Sequence, residues 1–99
     1  MAYDIHHDDD TAHVKLAGPL TFAEHRKVRA VLNRLENHSP RRVVLDLSKV
    51  EHIDAAGLGL LLVARDSVRD KGGKAELRGA NGQVGRLLQL ARFSELFHA

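Results

Sequence analysis

Asp46 and Asp54 are the two acids that a strand-to-helix connection would bring to one end of a sheet, where ligand sites of α/β proteins tend to lie. Paired carboxylates can do acid–base work, but each has a simpler role, since Asp54 can cap the helix that follows and Asp46 can organise a loop as an acceptor. Ser48 and Ser67 have no base beside them, so nucleophilic catalysis has no constellation to rest on. His6-His7-Asp8-Asp9-Asp10 offers imidazole and carboxylate ligands for a transition metal. Adjacent strand residues point to opposite faces, however, so His6 and His7 cannot easily grip one ion, and a solvated terminus is expected. His13, His25, His38, His52 and His98 are dispersed, and no pair has the spacing of a helical two-histidine site. Gly72-Gly73-Lys74 lacks the full spacing, the following Ser or Thr and the following helix of a phosphate loop, and reads as a turn. The expectation is no enzyme, no metal and no cofactor.

The elements that would position these residues follow from the hydrophobic period. Val43-Val44-Leu45-Asp46-Leu47 reads as a buried strand, and Leu58, Leu61, Leu62 and Val68 then recur at helical spacing. The loop between them ends in Asp54, an N-cap type, followed by Ala55, Ala56 and Gly57, which leave the positive end of a helix almost bare. Upstream, Tyr3 to His7 and His13 to Ala17 read as a hairpin around Asp8-Asp9-Asp10, closed by Gly18-Pro19. Thr21-Phe22-Ala23-Glu24 matches the capping box of a helix from about Phe22 to Asn37, whose stripe is Val28, Val31, Leu32 and Leu35. Downstream, the turn at Lys71 to Lys74 returns the chain to the sheet with Ala75 and Leu77 inward. Asn81 can cap a third helix with Val84, Leu87, Leu88 and Ala91 inward, and Phe93, Leu96 and Phe97 leave an apolar tail. The fold class is α/β, in the order β-β-α-β-α-β-α, with a small mixed sheet of about four strands and helices on one side.

Ninety-nine residues, 43% of them apolar, fit one domain over 1–99 with one core. No cysteine is present, which removes disulfides and thiolate metal sites and suits a reducing compartment. There is no secretory signal and no apolar run long enough to cross a bilayer, so a cytoplasmic protein is expected. The net charge of +2 hides four aspartates in the first ten residues, which leaves nine acids against fifteen bases beyond them. Those bases are scattered and the chain has only Tyr3, Phe22, Phe93 and Phe97 as aromatics, so stacking platforms for nucleic acid are missing.

Val43 to Leu47, Ile53-Asp54-Ala55-Ala56-Gly57-Leu58-Gly59-Leu60-Leu61, the Gly72-Gly73 turn, Gly18-Pro19-Leu20-Thr21 and Leu90 to Phe97 together resemble the STAS domain of bacterial anti-sigma factor antagonists, over nearly the whole chain. The resemblance implies a regulatory, non-enzymatic module whose partner is an anti-sigma factor that is also a serine kinase. In that family a serine before the Gly-Leu-Gly is the usual phosphoacceptor. Here that position is Ala56, with Ala55 beside it, so phosphorylation cannot operate there. The implied contact residues are Asp54, Ala55, Ala56, Gly57 and Leu58, with Thr21 to His25 at the rim, in a monomer or weak dimer. A runner-up is a STAS subunit clamped on the ATPase of a membrane lipid transporter. Glutamate at position 56 or 57 is expected to block docking and leave the fold intact.

Overall fold

Period-2 and period-3.6 segments alternate along the chain, and the computed structural model, which describes residues 1–97, sorts them into four strands and four helices. The strands are β1 (Ala2–Asp8), β2 (Thr11–Ala17), β3 (Arg42–Lys49) and β4 (Lys74–Arg78). The helices are α1 (His25–Glu36), α2 (Ala55–Asp70), α3 (Gly82–Leu90) and the short α4 (Phe93–Phe97). The sheet runs β1-β2-β3-β4, with the first pair antiparallel and the other two parallel. Because the strand order never reverses, the two crossovers carrying α1 and α2 step in the same direction. Crossovers of one hand then lay both helices on the same face.

That face is the core. Val14, Leu16, Val43, Leu45, Leu47 and Ala75 from the sheet meet Val28, Val31, Leu32 and Leu35 of α1 and Leu61, Ala64 and Val68 of α2, all buried. Val84 and Leu88 of α3 and Phe93 and Phe97 of α4 close one side, the two rings stacked 5.8 Å apart. The apolar tail therefore packs back on its own chain. The opposite face of the sheet carries Asp4, His6, His13, Lys15, Asp46 and Arg78 around the buried Val44.

Three local expectations fail. The helix expected from Phe22 begins instead as a one-turn 3-10 helix over Phe22–Glu24 before α1. Thr21 makes no side-chain cap bond; Glu24 turns to the amino group of Met1 at 3.3 Å, and Lys27 donates to the Met1 carbonyl. Asn81 does not accept as a cap either. Its amide donates to the Gly79 carbonyl at 3.1 Å and the Ser48 carbonyl at 3.4 Å, tying the start of α3 to the end of β3. By contrast Asp54 caps α2 as expected, its Oδ1 accepting from the Gly57 N–H at 2.7 Å.

Candidate functional site

The start of α2 is built by two connections held side by side. The chain leaving β2 donates from Gly18 to the Lys49 carbonyl at 3.0 Å and from Leu20 to the His52 carbonyl at 2.9 Å, and Leu20 pairs with Ile53 in a parallel bridge. Leu20 and Ile53 are buried, so this short ladder forms the floor under the first turn of α2. On it, Ala55 is exposed, Ala56 and Leu58 are half-buried, and Gly57 is buried. First-turn N–H groups have no intrahelical acceptor, and alanine methyls shield them little.

The ladder also places the rim. Thr21 and His25 are half-buried beside α2, and the 3-10 turn between them packs on that helix. The Phe22 ring is 67% exposed and stacks on His25 with centroids 5.1 Å apart, while His25 Nδ1 lies 3.2 Å from the Phe22 carbonyl oxygen. All seven residues named from the sequence therefore gather at one end of the molecule, although Gly57 contributes backbone rather than accessible surface. Phe22 lies inside the Thr21 to His25 rim expected from the sequence without having been singled out there, although it stands six positions before Val28, off the 3–4 spacing of the α1 stripe.

Asp46 and Asp54 do separate local work rather than forming a pair. Asp46 Oδ1 accepts from the Ser48 N–H at 2.9 Å. That bond first, and the Ser48 hydroxyl next, hold its carboxyl below the usual carboxylate range; partial burial opposes this, and the Lys15 and Arg78 charges assist. The acid serves the loop.

Gln83 is a residue the sequence reading missed. From α3 its carboxamide accepts from the Ile53 N–H at 3.1 Å and donates to the Ile53 carbonyl at 3.0 Å, satisfying both main-chain groups of the residue before the cap. Gln83→Ala is expected to cost about 1 kcal/mol, because Gln83 is exposed and water can partly replace its two part-buried bonds. Urea unfolding measures it. Gln83→Glu keeps the acceptor but loses the donor, and should fall between the two.

Among the described residues no group of three His, Cys, Asp or Glu is placed to hold a metal ion, and no helix is long and apolar enough to cross a membrane. His98 lies outside the described residues.

Comparison with known proteins bears on this arrangement. A model of the STAS domain matches residues 2–99. A STAS-domain containing protein of Pseudomonas aeruginosa, strain UCBPP-PA14, is 29% identical over 84 residues, covering 85% of this chain and 82% of that protein. Among solved structures, a candidate anti-sigma factor antagonist of Thermotoga maritima aligns with a TM-score of 0.83 at 24% identity, over 94% of this chain and 80% of that one. The anti-sigma factor antagonist SpoIIAA in its unphosphorylated form gives 0.69 at 16% identity, over 90% and 83%. At these identities the solved structures speak to the fold.

Proposed function

The chain belongs to the STAS domain family, and from that premise we propose that it is a non-enzymatic regulatory module that binds a protein partner through the start of α2. The partner class is an anti-sigma factor or a related kinase or phosphatase regulator. Contact falls on Asp54, Ala55, Ala56 and Leu58, over the backbone of Gly57, with Thr21, Phe22 and His25 at the rim. The observation that carries this reading is a half-exposed Ala56 at the first turn of α2, where the resemblance to the antagonists implies a phosphoacceptor serine. A phosphoryl group there would bring about −2 charge to the contact; a methyl group cannot. Binding is thus constitutive with respect to position 56.

Affinity capture from the native cell, with wild type, Ala55→Glu and Ala56→Glu as baits, tests the proposal. Glutamate in the first turn suits the helix dipole, so both variants should melt near the wild-type temperature. They should nonetheless lose the partner. Capture undiminished by both substitutions would move the interface elsewhere, and recovery of a transporter ATPase subunit in place of a sigma-pathway regulator would favour the lipid-transporter reading.

A further inference from the structure

The open face of the sheet places two histidines together that lie seven positions apart in sequence. His6 on β1 and His13 on β2 are direct cross-strand partners. Tyr3 and Ile5 on β1, and Ala12 and Val14 on β2, pack toward the helices. Strand alternation therefore sends His6 and His13 outward on the same side. Their ring centroids are 6.3 Å apart with the planes tilted by 35°. Both line a surface depression of about 450 Å³.

The charges around the pair run in a row across all four strands: Asp4 opposite Lys15, Lys15 opposite Asp46, and Asp46 opposite Arg78. Signs alternate and cancel. A cation approaching the imidazoles meets no net repulsion from this row.

We infer that His6 and His13 form a two-histidine chelate for a divalent transition metal ion of the Zn²⁺ or Ni²⁺ class on the open face of the sheet. Zn–N bonds of about 2.0–2.1 Å at a tetrahedral ion bring two imidazole centroids to about 5 Å, so the rings need close by only about 1 Å through side-chain rotation. No third protein ligand stands close enough among the described residues, and water completes the coordination. The affinity is that of a bidentate imidazole clamp joining the edge strand to its neighbour, not that of a closed structural site. The other close histidine pair among the described residues, His7 and His38, is stacked with centroids 4.2 Å apart and planes at 29°. Face-to-face rings do not aim two nitrogen lone pairs at one point, so that pair does not chelate.

Isothermal titration of the untagged chain with ZnCl₂, and separately with NiCl₂, tests the inference. One ion per chain is expected. His6→Ala and His13→Ala should each weaken binding about tenfold or more, while His38→Ala leaves it unchanged. Both chelating positions lie at the surface, so the variants are expected to fold, and a thermal melt without metal checks this. Proton competition should weaken binding on acidification. Paramagnetic Ni²⁺ should broaden amide resonances around His6 and His13 first. The inference is overturned if neither metal binds by concentrations on the order of a millimolar. It is equally overturned if folded His6→Ala and His13→Ala bind as wild type does, or if only His38→Ala loses the ion.

Discussion

Gly57→Ala is expected to lower the stability of the fold by roughly 2–4 kcal/mol, a large share of the total for a domain of this size. A Cβ at position 57 would stand 2.1 Å from the Leu20 carbonyl oxygen and 2.7 Å from Ile53 Cγ1. Neither neighbour can step aside. Leu20 is fully buried and held through its N–H to the His52 carbonyl, and Ile53 is held at both main-chain groups by Gln83. Relief must come from lifting α2 off the ladder, which breaks the packing of the two connections. Alanine is the better helix former by about 1 kcal/mol, and that gain is smaller than the cost of the overlap. Gly59, two residues on in the same helix, supplies the contrast: a Cβ there meets nothing within 4 Å. Gly59→Ala should stabilise the fold by about 0.5–1 kcal/mol. Urea unfolding of the two variants measures both, and shifts of the same sign would refute the account of Gly57 as a packing residue.

The same geometry corrects the expectation that glutamate at 57 leaves the fold intact. Linear sequence marks Ala55, Ala56 and Gly57 alike as small residues at a helix start, and nothing local tells surface from floor. The distinction comes from Leu20, thirty-seven positions upstream, whose carbonyl reaches Gly57 only when the β2 and β3 connections lie side by side. Ala55 is exposed and Ala56 half-buried, so charge is better added at those two positions.

What could be read from the sequence was what depends on period and nearest neighbours. Val43 to Leu47 declared a strand and Leu58, Leu61 and Val68 a helix, and Asp54 could cap because its acceptor lies three residues from its donor. The element order and the one-sided packing followed. Much of what escaped depends on distant partners. Thr21 and Glu24 had the spacing of a reciprocal cap, but β1 begins at Ala2 and delivers the Met1 amino group to Glu24, a competitor that local spacing cannot foresee. Asn81 was assigned an acceptor's role and acts as a donor, to the Gly79 carbonyl two residues back and, at longer range, to the Ser48 carbonyl of β3. His13 counted as dispersed and His6 was weighed only beside His7, until β1–β2 register set His6 and His13 opposite one another. The candidate site was legible through Asp54, Ala55 and Ala56 and through the Thr21 to His25 rim, whereas Gln83 required Ile53 to be in place beside α3.

Under the proposed function, Ala56→Ser is expected to turn a constitutive binder into a switchable one. The hydroxyl would stand at the second helical position of α2, half-exposed, above N–H groups that lack intrahelical acceptors. Serine is tolerated in a first turn, so the unmodified variant should fold and bind as wild type does. A serine kinase that modifies a serine-bearing antagonist should, with ATP, add one phosphate to the variant and none at this loop in wild type. Once attached, the phosphate is drawn to the helix start by the dipole, but it sits two residues from the Asp54 carboxylate that already holds the Gly57 N–H. Like charges compete for one turn, and the partner meets about −2 charge where it met a methyl group. Affinity should then fall by about one to two orders of magnitude, the scale of an unfavourable charge placed in a protein contact. Intact-mass spectrometry counts the phosphate and calorimetry reads the affinity. Ser48 is the decisive control, being exposed and already bonded to Asp46 near the end of β3. If wild type becomes phosphorylated on Ser48 and releases its partner, the switch lies there and the identity of residue 56 does not set it.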